Sequence, residues 1–225
     1  MKKNFLLFAL IFTGTSLFAS PWESNLITGI MFNTQKTDIQ KSGIEDISSI
    51  GYGLQAGYLG IHESGFTLKA DGSFGVAISD QVKFNPDSSN LGIYGNLAVG
   101  TGYSAQVSEK LMLSFTFMFG VDIIEFEEDT DGISYKGDSD ASVSQSLDLF
   151  NLNAGFDILA RFSMTPVIGF YAGVECRAFL NGDYDYRARY EYYDSGSYKT
   201  ARDSQAYGTL GAYRIQPTLG IIWTL

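Results

Sequence analysis

The sequence predicts an all-β fold, namely a single closed antiparallel transmembrane β-barrel of about eight strands. Three observations support this prediction: segments in which apolar residues alternate with small polar ones, connections that are short and long in turn, and a last segment that alternates up to an aromatic residue near its end. A period of two is typical of a strand, because successive side chains point to opposite faces.

The amino-terminal segment is typical of a secretory signal peptide. Lys2 and Lys3 precede a short apolar stretch that ends at Ala19, after which we expect cleavage. This stretch is shorter than the about 20 apolar residues that a membrane-spanning helix needs. We therefore predict an exported protein, with a signal peptide over residues 1–19 and one β-barrel domain over residues 20–225.

Composition favours strands that are rich in aromatic residues and relieved by glycine. The chain has 25 Gly, 14 Tyr and 17 Phe but only 4 Pro, a balance that suits sheets better than helices. A single cysteine excludes an intrachain disulfide framework. The net charge of -10 argues against nucleic acid as a partner, and nothing in the sequence points to a cofactor.

The alternation is clearest in the segment 66–78. Its apolar face includes Phe66, Leu68 and Phe74, whereas the other face carries small residues with isolated charges such as Lys69. A soluble β-sandwich would show the same period, with its polar face in water. Because a strand face in water usually carries many Lys and Glu residues, the small polar face favours a crowded lumen and the apolar face favours lipid.

Eight segments show this pattern, and their connections alternate in length. The segments cover residues 26–36, 50–59, 66–78, 91–103, 111–126, 149–162, 167–180 and 206–225. The long polar connections are predicted to be extracellular loops over residues 37–49, 79–90, 127–148 and 181–205. Short periplasmic turns and an even number of strands then place both termini in the periplasm.

The last segment carries a second signal besides its alternation. Gly220, Trp223 and Leu225 form a spacing that resembles the C-terminal signal by which the assembly machinery recognises outer-membrane barrels. The alternative is an ordinary core strand that comes last. Pro217 falls inside this strand and removes a donor from the ladder, so we expect a bulge or a local loss of pairing there. The alternative is a strand that begins after Pro217, which would leave too few residues to span the membrane, and we favour the bulge.

Taken over the whole mature chain, the pattern resembles the small eight-stranded outer-membrane barrels of the OmpX, OmpA-transmembrane and OmpW type. The resemblance implies localisation in the outer membrane, with membrane lipid and the barrel-assembly machinery as partners. It also implies two functions: a structural barrel whose loops contact host or cell-surface ligands, or a narrow channel or conduit for small, hydrophobic molecules. We expect the first function and no enzymatic activity.

The inward-facing charges are predicted to close the lumen in two balanced layers, because an unpaired buried charge is costly. An eight-stranded barrel is narrow enough for side chains to fill it. The lower layer is predicted to contain Lys69, Asp71, Asp157 and Arg161, and the upper layer Asp122, Glu175, Arg177 and Arg214. Met31, Tyr94, Met112, Met118 and Tyr171 are predicted to add bulk inside. The alternative is a wet passage that binds ions.

Aromatic residues on the outer face are predicted to form a girdle at each membrane interface, where an apolar ring with a polar tip is stable. We assign Trp22, Tyr58, Tyr103 and Trp223 to the periplasmic girdle, and Tyr52 and Tyr207 to the outer one.

Catalytic and metal sites are not expected. His62 is the only histidine and falls in a short turn, and the acidic residues of 127–148 do not follow the spacing of an EF-hand loop. Tyr and Arg residues are enriched at binding hot spots, so the last long connection supplies candidate contact residues. These are Tyr184, Tyr186, Arg187, Arg189, Tyr190, Tyr192 and Tyr193. The same alternation also fits a β-hairpin that extends above the membrane, which is the interpretation we favour.

Overall fold

The computed structural model describes residues 21–39, 46–80, 82, 91–209 and 212–225, so the predicted signal peptide lies outside the described residues. The strands are β1 (Trp22–Thr37), β2 (Ile47–His62), β3 (Phe66–Ile78), β4 (Leu91–Gln106), β5 (Leu111–Tyr135), β6 (Asp138–Ser163), β7 (Ile168–Asp194), β8 (Ser197–Thr209) and β9 (Tyr213–Thr224). Within the described ranges no helix is long and apolar enough to cross a membrane.

The strands form one antiparallel sheet that closes on itself. Each strand from β1 to β7 pairs with the next, and β9 pairs with both β7 and β1. This closure confirms the predicted barrel. It leaves no free edge within the ring, as backbone groups in the hydrocarbon region of a membrane require.

The ring has eight positions although the described residues form nine strands, because β8 and β9 share the last position. The upper part of β7, residues 182–194, pairs with β8, and its lower part, residues 168–178, pairs with β9. The strand predicted over residues 206–225 is therefore divided into two pieces that lie one above the other beside β7.

Side chains alternate between the interior and the surface as predicted. Leu54, Phe74, Phe119 and Leu219 are more than half exposed on the outer face. The bulky residues predicted to face inward do so: Met31, Tyr94, Met118 and Tyr171 are buried, and Met112 is partly buried. The chain thus has an apolar exterior and a polar interior, which is the arrangement that a lipid environment stabilises.

Two of the predicted loops are strands instead. Residues 127–148 belong to β5 and β6, which continue to a tight turn at Lys136 and Gly137, and residues 181–205 belong to β7 and β8. The four strands extend beyond the ring as one sheet in the order β5, β6, β7, β8. The favoured interpretation of the last connection, a β-hairpin extension, is confirmed. We call this end of the barrel the hairpin end, and the opposite end the short-turn end.

Pro217 coincides with a local loss of pairing and not with the favoured bulge. The register between β1 and β9 is the same on both sides of it, from Met31↔Thr218 to Thr34↔Ile215, with no pairs between. Pairing with β7 continues through Val174↔Pro217. Since successive residues of a strand present their backbone groups to opposite neighbours, a proline can interrupt the ladder on one side and preserve it on the other.

Candidate functional site

A network of ion pairs fills the middle of the barrel, and Arg214 is at its centre. Its guanidinium contacts Asp122 and the Tyr94 hydroxyl, and its Nη2 donates to Oε2 of Glu175 at 3.0 Å. Asp122 also accepts a hydrogen bond from Asn153. Arg214, Asp122 and Glu175 are fully buried, so each of these charges depends on its partners rather than on water.

Glu175 connects the Arg214 group to a second group around Lys69. Besides Arg214, Glu175 contacts Arg177 at 3.2 Å and Gln55 at 2.8 Å, and its Oε1 lies 3.7 Å from the Lys69 ammonium. Lys69 contacts Asp71 at 2.5 Å and also Asp157. The two groups therefore form one continuous network.

Three carboxylates of this network have the proximity of a metal site. Oxygens of Asp71, Asp157 and Glu175 lie within 4.8 Å of one another. The Lys69 ammonium contacts all three side chains, and its positive charge offsets the repulsion between the three carboxylates. We interpret this cluster as an ion-pair network rather than a metal site.

Arg161 does not belong to the network, which corrects the prediction of two balanced layers. Its guanidinium contacts Glu23 and Asn25 and donates to the Thr224 hydroxyl at 2.9 Å, close to the short-turn end. The other seven predicted charges, Lys69, Asp71, Asp157, Asp122, Glu175, Arg177 and Arg214, are buried together in the single central network.

Apolar clusters lie above and below the ion pairs. Toward the hairpin end the first cluster contains Met31, Ile39, Ile47, Ala77, Val82, Tyr94, Ile124, Phe126, Leu147 and Leu149. Toward the short-turn end the second contains Ile27, Leu59, Ile61, Leu159, Tyr171 and Ile222. The first cluster includes residues from outside the strands, such as Ile39 and Val82, so it closes the mouth of the barrel.

The sheet extension has two different faces. On its inner face Val143, Leu147 and Ala188 are buried, and Tyr184 and Tyr186 pack against the apolar cluster at the mouth. On its outer face the predicted contact residues Arg187 and Arg189 are exposed but paired, the first with Asp185 at 2.5 Å and the second with Glu191 at 2.6 Å. The alternation therefore separates the candidate contact residues into a packed set and an exposed set.

Aromatic and polar contacts join the tips of the two hairpins. The rings of Tyr135 and Tyr190 are stacked at 4.3 Å, and Lys136 lies 5.3 Å from the centre of the Tyr192 ring. The backbone N–H of Tyr193 donates to Asp138 at 2.6 Å. This hydrogen bond lowers the pKa of Asp138 below its ordinary value.

The exposed aromatic pair at the tip consists of Tyr193 and Tyr198. Their ring centres are 5.3 Å apart, in an edge-to-face arrangement, and Tyr198 is 87% exposed. Next to them Lys199 contacts Asp194 at 2.5 Å. The pairing raises the pKa of Lys199 and lowers that of Asp194, through the hydrogen bond between them.

The short-turn end carries the residues of the predicted assembly signal and the only histidine. Trp223 is on the outer face, where its Nε1 donates to the Thr28 hydroxyl at 3.3 Å, and Leu225 is exposed. His62 is in contact with Ser64, at 2.8 Å between Nδ1 and Oγ; Ser64 is exposed and His62 is partly buried. A recognition role for Gly220, Trp223 and Leu225 stays a prediction.

The residues assigned to the aromatic girdles do not all lie on the outer face of the barrel. Tyr103 and Tyr52 are exposed on the outer face, and Trp22 packs edge-to-face with Phe66 at the short-turn end. Tyr207 was assigned to the wrong face: it packs against the apolar cluster inside the mouth. Tyr213, which begins β9, is also half-exposed near the hairpin end.

Several neutral partners of the network were not identified from the sequence. Gln55 donates to Glu175, Asn153 donates to Asp122, and the Tyr94 hydroxyl lies between Arg214 and Asp122. These residues fall in the inward-facing register of the sequence, and from that register their pairing with the buried charges could have been inferred, because a buried amide or hydroxyl needs a hydrogen-bond partner.

Comparisons with known proteins establish the fold. No protein-family model matches the chain, and no curated protein matches it. Among solved structures it is similar to a major outer membrane protein from Thermus thermophilus, with a TM-score of 0.55, 10% identity, and coverage of 89% of this chain and 99% of that chain. The fold is therefore that of an outer-membrane β-barrel.

Two other structures are less similar. Ail, the attachment invasion locus protein of Yersinia pestis, in complex with the heparin analogue sucrose octasulfate, gives a TM-score of 0.44 at 10% identity, covering 90% of this chain and 99% of that chain. The outer membrane protease OmpT from Escherichia coli gives 0.37 at 7% identity, covering 92% and 98%.

Proposed function

We propose that the protein is an integral outer-membrane barrel with a lumen filled by side chains, and that it acts through the sheet extension at its hairpin end. In this proposal the extension is extracellular and both termini are periplasmic. Neither transport through the lumen nor catalysis is part of it. Membrane lipid and the barrel-assembly machinery are the implied partners of the wall and of the last strand.

The observation that carries the proposal is the layered interior. The ion pairs of Arg214 and Lys69 lie between two apolar clusters. A water-filled passage needs open space along the lumen, whereas here the ion-paired side chains occupy the middle. An apolar cluster packs on each side of them, together with buried amides and hydroxyls such as Gln35 and Thr67. Such an interior stabilises the barrel as a rigid support for the extension.

Planar-bilayer recording tests this function directly. We expect the wild-type protein to give a conductance near zero, because ions would have to cross two apolar clusters and a network of strong ion pairs. A general porin inserted under the same conditions is the positive control, and native-like gel mobility of the inserted sample shows that the barrel is folded. Steady, large conductance would contradict the proposal.

A second candidate function is a conduit for small hydrophobic molecules, and one feature favours it. A groove of about 570 Å³ opens on the outer face beside Pro217, where the ladder between β1 and β9 is interrupted, and it is lined by Ile30, Phe32, Leu54 and Leu219 among others. Uptake of a hydrophobic dye into vesicles that contain the protein would favour this function over the first.

A further inference from the structure

β8 is an edge strand of the extension, and a strand of a partner can pair with its free edge. β8 forms 13 regular pairs with β7, from Gly182↔Thr209 to Asp194↔Ser197. On its other side, within the described parts of the chain, the one pairing is a bridge between Ile39 and Thr209 at its base. An exposed edge of this kind presents unpaired N–H and C=O groups that can pair with another strand.

The opposite edge of the extension is formed by β5 and is protected against pairing with another strand, whereas the edge of β8 is not. Residues 127–131 of β5 include Glu127, Glu128, Asp129 and Asp131. The register of β5 with β6 then shifts around Gly132, whose φ is 70°. Charges and bulges are the common means by which proteins prevent edge pairing. By contrast, β8 contains no proline and only three charged residues.

The sequence of β8 is complementary to itself in one antiparallel register. When two copies pair about a two-fold axis at Ala201, Lys199 lies opposite Asp203 and Asp203 opposite Lys199, while Thr200 faces Arg202. A two-fold interface repeats each contact twice. An axis at Arg202 or at Asp203 would instead place two like charges opposite each other, and one at Thr200 would form no ion pair, so the charges select the register at Ala201.

Membrane geometry then determines where the second copy is located. A two-fold axis perpendicular to the sheet inverts one barrel relative to the other, so the two copies cannot share one membrane in the same orientation. Ala201 is eight residues from the base of the strand at Thr209. At about 3.4 Å per residue the paired strands would separate the two bases by roughly 54 Å along the strand direction.

We propose that the edge of β8 over residues 197–205 pairs with the same edge of a second copy in an opposing membrane, and so joins two membranes through one continuous sheet. This inference rests on the proposed function, in which the extension is extracellular. The acidic residues 125–148, with eight carboxylates and one lysine, then lie on the outer flanks of the joined sheet, away from the contact.

Charge reversal tests the pairing. Lys199→Glu or Asp203→Lys places like charges opposite each other in two pairs, so vesicles that carry either variant should associate about tenfold less than wild-type vesicles. Mixing the two variants restores opposite charges across the interface, and so does the double variant with both changes. Lys110→Glu is the matched control for Lys199→Glu, because this exposed side chain makes the same charge change in the turn between β4 and β5, at the short-turn end.

The measurement is light scattering and fluorescence transfer between two labelled populations of vesicles at physiological salt. Restoration of association in the mixture supports the proposal. Failure of wild-type vesicles to associate, loss that mixing does not repair, or oligomers confined to one vesicle would each overturn it. Gel mobility shows that every variant is folded, and bilayer recording of the same samples tests the proposed function separately.

Discussion

Replacement of Arg214 by methionine, Arg214→Met, tests whether the central network stabilises the barrel. The side chain is fully buried and contacts Asp122 and Glu175, with 3.0 Å to the second. Methionine keeps most of the volume but removes the charge. Removal of one partner from a buried ion pair costs about 3–5 kcal/mol, because the remaining charge has lost its compensation, and we expect a loss of this size.

Arg177→Met is the matched comparison. Arg177 is also buried, and among the residues that the structure describes its one ion pair is with Glu175, at 3.2 Å. Glu175 would retain Arg214, Lys69 and Gln55. The expected cost is therefore that of one charged hydrogen bond, about 1.5–3 kcal/mol, and it should be smaller than the cost of Arg214→Met.

The assay is reversible unfolding by guanidinium chloride in lipid vesicles, followed by tryptophan fluorescence and by gel mobility. Equal slopes of the free energy of unfolding against denaturant are required before the two variants are compared. If Arg214→Met is no more destabilising than Arg177→Met, Arg214 is not the centre of the network, and the argument from shared partners is refuted.

Two further predictions concern the wall and the extension. Phe117→Arg places a charge on the lipid face and should destabilise the barrel by about 2–4 kcal/mol if the position is near the midplane; unchanged unfolding in vesicles would contradict the lipid assignment. Because the pKa of Asp138 is lowered by the N–H of Tyr193, the contribution of this contact is present above the ordinary pKa of 3.8 and is lost as pH falls through the lowered value. Asp138→Ala should abolish that pH dependence. The measurement is hydrogen exchange of the Tyr193 N–H, which should be faster in the variant; exchange that does not differ between the variant and the wild type would exclude the contact.

The wall of the barrel could be predicted from the sequence because the lipid outside and the crowded lumen inside each restrict the residue types that the adjoining face can carry. Lipid requires an apolar side chain at every second position, and β3 was placed at Phe66–Ile78 without error. The extension has no such requirement, because its outer face is in contact with water. Ser142, Ser144 and Ser146 alternate there with buried residues such as Val143, and serine-rich strands are difficult to distinguish from loops by composition.

The arrangement of charges inside the barrel could be predicted only in part. Inward register follows from the period of two, so the burial of Glu175 and Arg161 was accessible from the sequence. The positions of these residues along the barrel axis could not be predicted, because neighbouring strands of a barrel are staggered by its shear. This stagger brings Glu175 within reach of Lys69 and Arg161 within reach of Glu23, contacts that a count along separate strands does not reveal.

The ion pairs and the apolar clusters of the lumen depend on each other. Without water, the attraction between Arg214 and Asp122 is much stronger than at the surface, but each charge then becomes costly if it is left alone. The apolar clusters cover the ion pairs on both sides, while the network holds β3, β5, β6, β7 and β9 together across the interior. A substitution that opens one cluster should therefore weaken the ion pairs it does not touch.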